Sequence, residues 1–179
     1  MAEAESFSVV KLICGIIASQ ENIFQKARDR LENLFGPVDL MSPLFDFDFT
    51  DYYEKQMGQD LKRQFLSFKE LISPEILSEI KLQTNALEET LKTEERTSRR
   101  LVNLDPGYLT TSALIMATTK NYAHRIPLQH GIYAHLELLF TRKDIKTLSW
   151  TYPDYKTEGY QQFFSEVRKS YLVQMAKSR

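Results

Sequence analysis

The stretch that decides the fold is residues 7–18, which read FSVVKLICGIIA. It is short, rich in β-branched residues and apolar at almost every position, so it predicts a strand. The polar or small interruptions, Lys11 and Gly15, fall on the same one of its two faces. A strand that is apolar on both faces lies in the middle of a sheet and is covered on both sides.

The residues that follow predict a helix and then a hairpin. Ser19 is a predicted N-cap for a helix that runs to about Phe35, because apolar residues recur there at helical spacing. Residues 44–53, LFDFDFTDYY, alternate apolar and polar side chains and predict a strand. A turn at Gly58-Gln59 and a return strand over 61–68 would place Glu54 opposite Arg63.

A second helix begins at Ser73-Pro74, where the missing proline N–H costs nothing. The charged residues 92–99 lack periodicity and are interpreted as a mobile connection. Residues 100–104 predict a strand, and residues 105–108, DPGY, predict a type II turn.

The C-terminal part predicts further strands and one helix. Residues 112–119 form a predicted strand, and residues 125–128, 132–140 and 145–150 a meander. The chain ends with an amphipathic helix from Glu158 to about Lys177.

This order predicts a single α+β domain over residues 1–179, preceded by a disordered terminus at 1–6. Through residue 104 the elements run strand, helix, strand, strand, helix, strand, which is the split βαβ or ferredoxin-like pattern. An antiparallel meander and a C-terminal amphipathic helix extend that βαββαβ core. Both core helices cover one sheet face in this fold, so the meander, the last helix or a second subunit must cover the other.

Composition excludes several classes of protein. The chain has 179 residues, 42% of them hydrophobic, and a formal net charge of −1, which excludes a disordered chain and gives no global electrostatic case for nucleic acid binding. Its single cysteine, Cys14, excludes an intramolecular disulfide and fits a reducing compartment. The apolar run 9–18 is too short for a membrane span and the N-terminus is acidic, so we expect a cytoplasmic protein with no membrane partner.

Common catalytic motifs are missing from the sequence. There is no glycine-rich phosphate loop, no Cys/His cluster with zinc spacing and no Gly-x-Ser-x-Gly elbow. No metal ligands are assigned and the cofactor, if there is one, is unknown. Asp46, Asp48 and Asp51 could hold a divalent cation, but a solvated sheet face explains the two strand aspartates as well.

Two neighbouring segments collect polar side chains. Residues 118–125, TTKNYAHR, bring together hydroxyls, Lys120 and Arg125, a set that suits a phosphate or carboxylate; the alternative is a polar loop. All three histidines fall within residues 124–135, and His135 shares a strand face with Glu137. That pair is either a metal or acid/base site or a half-solvated strand face.

The nine tyrosines lie mostly in polar contexts such as residues 50–53, 105–108 and 150–155. Tyrosine combines a stacking face with a polar tip, so these segments suit a recognition surface. The alternative is that each phenol caps a turn or covers the rim of the core.

Several short sequence motifs together resemble those of a bacterial family. They are FDFTDYYEKQMG at 47–58, NLDPGYL at 103–109, ATTK at 117–120, HRI at 124–126, GIYA at 131–134 and WTYPDY at 150–155. The family is a domain of unknown function whose members are sometimes labelled GTP-binding proteins. The resemblance brings no established activity or cofactor, and this chain lacks both the phosphate loop and the base-reading Asn-Lys-x-Asp of such proteins.

The leading hypothesis is a cleft that binds a small anionic, nucleotide-like or phosphorylated molecule, with catalysis on that molecule left open. His124 and Asp105 are the catalytic candidates, since His124 titrates near neutrality. The ligand-binding candidates are Lys120, Arg125, Asn103, Tyr152, Asp154, Tyr108 and Asp51.

The alternative is a non-enzymatic interaction module or a homodimer that uses the open sheet face for protein or RNA. In that hypothesis aromatic residues on strands, such as Tyr53 or Phe68, form a stacking platform. It is an analogy from the predicted fold alone.

Overall fold

The chain forms one large antiparallel sheet with helices packed on both faces. The computed structural model describes residues 3–50 and 52–177. The strands are β1 Val10–Ala18, β2 Val38–Met41, β3 Phe45–Asp46, β4 Lys62–Ile72, β5 Val102–Leu109, β6 Ala113–Thr118, β7 Ile126–Pro127, β8 Tyr133–Phe140 and β9 Ile145–Thr147. The helices are α1 Glu21–Phe35, α2 Glu54–Met57, α3 Leu77–Glu94 and α4 Glu158–Lys177.

The strand order in the sheet is β2-β4-β1-β5-β6-β8-β7, with β3 also paired to β4 and β9 to β8. The central position predicted for the first strand is confirmed: β1 lies between β4 and β5, and every residue of it is buried. Because β1 is antiparallel to both neighbours, β4 and β5 run parallel to each other. Helix α3 joins them across β1.

The two faces of β1 belong to two different cores. Its even-numbered residues from Leu12 to Ala18 pack with α1, α3 and the even-numbered residues Val102 and Leu104 of β5. On the opposite face, Ile13 packs with Phe65 of β4 and the aromatic residues of α4. The C-terminal helix is thus the element that covers the second face.

Phe68 does not form an exposed platform. It is buried in the apolar core and its ring makes an edge contact with Phe35 of α1 at 5.8 Å. The stacking surface predicted there is therefore wrong, since Phe68 shares its strand face with Leu66 and points toward the helices.

The hairpin predicted over residues 44–68 is confirmed only in part. Its return strand is present as β4 and runs antiparallel to Phe45–Asp46, but the predicted strand over 44–53 is reduced to those two residues, and Phe45 rather than Glu54 lies opposite Arg63. Glu54 instead begins the short helix α2, which ends at Met57. The Gly58 N–H makes the last bond, to the Glu54 carbonyl, and the φ of +90° at Gly58 then turns the chain out of the helix. The alternation of Phe45, Phe47 and Phe49 therefore reflects an irregular segment with one buried ring, that of Phe47.

The turn predicted at residues 105–108 is also wrong, because those residues lie inside β5. Asp105 is the partner of Gly15 in β1, and Gly107 the partner of Ile13. Pro106 is tolerated in this central strand because β5 pairs with β6 only over Gly107–Leu109, so the missing proline N–H faces a side without a strand partner.

Most other predicted elements are confirmed. The helix from Glu158 to Lys177 has the predicted bounds, and α1 begins two residues after the predicted Ser19 cap. The meander is present, although its first and last strands are shorter than predicted. Helix α3 continues to Glu94, into the segment 92–99. Among the described residues, none of the helices combines the length and the apolar character that a bilayer crossing requires.

Candidate functional site

A cavity of about 820 Å³ lies beside the middle of the sheet. That volume is typical of sites for small molecules. Its walls come from β4, β5, α3, the end of β6, β8, the segment 47–56 and the segment 152–155.

The cavity is lined where β5 and β6 stop pairing. Their register runs from Leu109 opposite Leu114 to Gly107 opposite Met116, and next to that point Asn103 and Asp105 of β5 and residues 117–120 line the cavity. A side chain at Gly107 would overlap the Ile115 carbonyl at 2.5 Å, so glycine permits the last close pairing. Beyond it the two strands separate.

Side chains from α3 take the place of the missing strand partner. The Leu104 N–H donates to Glu88 Oε1 at 2.7 Å, and Lys81 Nζ donates to the Leu104 carbonyl at 2.7 Å. Residues at i and i+2 of a strand direct their backbone groups to the same side. Pro106 therefore faces the same side as Leu104, where β5 and β6 have separated. The N–H that proline lacks would have had no strand partner there, so no ladder bond is lost.

The floor of the cavity is a buried arginine held by carboxylates. Arg63 donates to Asp154 Oδ2 at 2.6 Å, to Asp105 Oδ2 at 2.9 Å and to the Tyr155 hydroxyl at 3.0 Å. Its guanidinium also lies over the rings of Phe65 and Tyr155, at 4.9 and 5.0 Å from their centroids. Burial in this environment raises the pKa of the Tyr155 hydroxyl, which stays protonated.

A second arginine holds the wall next to α3. Arg100 donates to Glu88 Oε2 at 2.6 Å and to Asn103 Oδ1 at 2.6 Å. Burial raises the pKa of Glu88, while the charge of Arg100 opposes that shift. The Nδ2 of Asn103 is buried and has no hydrogen-bond partner in the described part of the chain. An unpaired buried donor on a cavity wall is a group that a ligand can satisfy.

Aromatic residues from 47–50 and 52–56 line one side of the cavity. Tyr52 is 53% exposed, and Lys120 Nζ lies 3.8 Å from its ring centroid. Tyr53 is more buried and contacts Phe47 and the Arg100 guanidinium. Burial raises the pKa of the Tyr53 hydroxyl, with a further contribution from Asp105.

The opposite rim is held by a buried histidine and glutamate. His135 is 2% exposed and Glu137 fully buried, so the half-solvated face considered from the sequence is wrong. His135 Nε2 lies 2.8 Å from Glu137 Oε2, and Arg125 Nε donates to His135 Nδ1 at 3.2 Å. Glu137 Oε1 accepts the Tyr152 N–H at 2.7 Å.

The cavity contains five of the residues predicted from the sequence. They are Asn103, Asp105, Lys120, Tyr152 and Asp154. Arg125 lies behind the rim, where it also donates to the Lys120 carbonyl.

The other predicted residues lie elsewhere. His124 is stacked on Trp150 in a separate shallow depression, 4.9 Å between ring centroids. Desolvation, together with the charges of His135 and Arg125, lowers the pKa of His124. Tyr108 packs at a small cluster formed by Leu77, Ala117 and Ile132. Asp51 lies outside the described residues.

Sequence reasoning missed the residues that depend on the tertiary fold. Arg63 was expected on a hairpin surface, and neither Lys81 nor Glu88 was singled out from the pattern of α3. The sequence signal for Arg63 is limited to its place on the same strand face as Phe65, and the burial of that face against α4 appears only in the fold. The α3 residues carry no such signal, because only the separation of β5 from β6 brings their polar ends into use.

The two described aspartates of the predicted cation site, Asp46 and Asp48, do not form a metal centre with other described residues. Asp46 and Asp48 are exposed, and Asp46 pairs with Lys62. Within residues 3–50 and 52–177, no three His, Cys, Asp or Glu side chains are grouped so that they could hold a metal ion.

The cavity lies within a region that is shared with a known family. No curated protein and no solved structure matches the chain. Residues 8–171, which include every segment that lines the cavity, match the family described as a domain of unknown function, DUF4416. The resemblance predicted from the sequence is thereby confirmed, and the chain belongs to that family.

Proposed function

We propose that this domain binds a small anionic molecule in the cavity between β5 and β6. The observation that carries the proposal is a cavity of about 820 Å³ whose wall contains a buried, unpaired amide donor, Asn103 Nδ2. Buried polar groups in native proteins are nearly always hydrogen-bonded. A ligand acceptor is the simplest partner for this one.

The charge of the ligand follows from which cations are already paired. Arg63 and Arg100 are neutralised by carboxylates in the cavity wall. Lys81 and Lys120 also line the cavity, and neither forms an ion pair within the described residues. Lys81 is bonded to a carbonyl and Lys120 lies over a ring, so both retain N–H groups for an anion.

Phosphate and carboxylate groups both suit these donors. Asp105 and Asp154 keep Arg63 in place beneath the ligand, and Asp105 remains the candidate for any proton transfer, since it is partly exposed at the cavity. His124 is not part of this site in our proposal. A phosphorylated metabolite also fits the cytoplasmic location that we infer from the single cysteine.

We further propose that the first half of the chain is ferredoxin-like. The order β2-β4-β1-β5, all antiparallel, and the connection of β4 to β5 by α3 across β1 support this assignment. The position of the second core strand is occupied by β2, with β3 paired to β4 further along, and an irregular segment follows before β4. That irregularity is what places aromatic residues over the cavity.

The test is equilibrium binding of a panel of phosphorylated compounds by calorimetry and thermal shift. A ligand that binds the native state raises the melting temperature. Lys120→Ala weakens binding about tenfold, in proportion to one lost charge-assisted contact of about 1.5 kcal/mol. The control is Lys146→Ala, an exposed lysine on β9 outside the cavity, which leaves affinity unchanged. Equal loss in both variants, or no binding by any anion, contradicts the proposal.

A further inference from the structure

One exposed tyrosine at the cavity rim is held unusually firmly. Tyr152 is 45% exposed, yet its backbone N–H donates to Glu137 and its hydroxyl accepts from Arg125 Nη2 at 2.7 Å. Its ring is stacked on that of His135, with 5.3 Å between centroids and 21° between planes. An exposed side chain normally keeps its rotamer freedom, because ordering it costs entropy.

The groups that hold Tyr152 are themselves fixed by one another. Arg125 Nε donates to His135 Nδ1 at 3.2 Å, and His135 Nε2 lies 2.8 Å from Glu137 Oε2. Glu137 has no solvent exposure, and burying a carboxyl group is costly unless its oxygens find partners, as Oε1 does in the Tyr152 N–H. This unit of Arg125, His135 and Glu137 contributes little packing that an apolar set would not provide. What these three residues specifically provide is a fixed orientation of the Tyr152 ring.

The Tyr152 hydroxyl accepts from Arg125 and therefore keeps its own proton to donate. Tyr152 thus offers the cavity a partly exposed ring and a directed donor. Lys120, also on the cavity wall, is tied to the same rim, because its carbonyl accepts from Arg125. A ring site and a cationic site are therefore coupled through one guanidinium.

We infer that Tyr152 is the specificity-determining residue of the cavity, and that the ligand carries a planar ring joined to its anionic group. Arg125, His135 and Glu137 are positioning residues that hold Tyr152 for stacking on that ring. This inference rests on the proposed anion binding. It adds the chemical class of the ligand, a ring-bearing phosphate or carboxylate such as a nucleotide.

The test compares two probes that differ only in the ring, adenosine 5′-monophosphate and ribose 5-phosphate. Stacking of a base on an aromatic side chain is worth about tenfold to a hundredfold in affinity. We expect the monophosphate with the base to bind the native protein tighter by that factor. Tyr152→Leu removes the difference, whereas Tyr152→Phe keeps most of it.

The positioning role is tested by Glu137→Gln and by Arg125→Lys, with the affinity ratio of the two probes as the readout. A residue with a merely structural role weakens both probes alike and leaves the ratio unchanged. A positioning residue lowers the ratio while ribose 5-phosphate binds as before. Arg125 is only half-buried, so its variant keeps the inference testable if the Glu137 variant does not fold.

The outcomes distinguish a failure of this inference from a failure of the proposed anion binding. If both probes bind equally and the binding depends on Lys120, the anion site stands and the ring inference is overturned. If neither probe binds in a Lys120-dependent way, both fail. A ratio above ten that survives Tyr152→Leu overturns the role of Tyr152.

Discussion

The two faces of β1 differ in what they bury. The face toward α1 and α3 contains only apolar residues and Cys14 among its core members. The opposite face is packed by α4 at one end, whereas at the other end it buries Arg63 between Asp105 and Asp154 and leaves a cavity. Buried ion pairs are weak contributors to stability compared with apolar packing. The difference indicates that the apolar cluster on the first face maintains the fold. The second face gives up packing to form a site, to which α3 adds polar side chains through the gap between β5 and β6.

The largest expected effect concerns access to Cys14 on the apolar face. Burial raises the pKa of the Cys14 thiol, with a smaller contribution from Asp105, so the reactive thiolate is suppressed. Alkylation by iodoacetamide in the folded protein should be at least about a thousandfold slower than in urea, because it requires opening of the core. Mass spectrometry over time measures the rates.

The matched control places a cysteine at an exposed site, Lys146→Cys, in a Cys14→Ala background. That thiol reacts at nearly the same rate folded and unfolded. Rapid labelling of native Cys14 would show that the apolar face opens as readily as the cavity face, which would remove the contrast.

The next largest effect is expected at Arg63. Arg63→Met leaves the buried carboxylate of Asp154, and the partly exposed one of Asp105, without a counter-ion, so the free energy of unfolding falls by about 3–5 kcal/mol. Urea denaturation measures the change. Adding Asp105→Asn and Asp154→Asn removes the uncompensated charges and restores part of the stability. A triple variant no more stable than Arg63→Met alone contradicts an electrostatic origin.

Neighbouring isoleucines on β1 provide a matched pair for the two faces. Ile16 is buried in the apolar core. Ile17 packs with Met57 and with Phe47, which lines the cavity. Ile16→Val and Ile17→Val each remove one methyl group and should each lower the free energy of unfolding by about 0.5–1.5 kcal/mol. Only Ile17→Val should weaken ligand binding, because Phe47 lines the cavity. Equal effects on affinity would show that the faces are not functionally separate.

The smallest effect is expected from pH, at His124 outside the cavity. The folded protein lowers the pKa of His124 below its ordinary value of 6.5, through desolvation and then the charges of His135 and Arg125, while Glu137 opposes the shift. Below about pH 6.5 the unfolded chain therefore takes up this proton first, and stability falls as pH decreases. His124→Gln should flatten the dependence of the urea midpoint between pH 7 and 5. An unchanged slope would assign the dependence to other groups.

What could be predicted from the sequence follows the same division. The continuous apolar run of β1 and the helical spacing of α3 and α4 are local patterns, and these elements were predicted correctly. Residues 105–108 contain Pro and Gly, which locally favour a turn, but pairing with β1 overrides that preference. Residues 45–49 alternate like a strand, but only the first of them pair with β4.

The site was predictable only in part, for a related reason. Lys120, Asn103 and Tyr152 lie in polar segments that stand out in the sequence, and all three line the cavity. The roles of Arg63 and Glu137 depend on burial, which the sequence did not reveal. His124 was favoured because histidines near neutrality suit proton transfer, yet its ring stacks on Trp150 outside the cavity.

The way α3 serves the Leu104 backbone has a consequence for the behaviour of the protein in a crowded solution. A gap between strands exposes unpaired N–H and C=O groups, which invite strand addition by another chain and, eventually, aggregation. Here Glu88 and Lys81 occupy those groups, and a proline follows at the next position on that side. The domain can therefore keep its sheet open without recruiting a foreign strand.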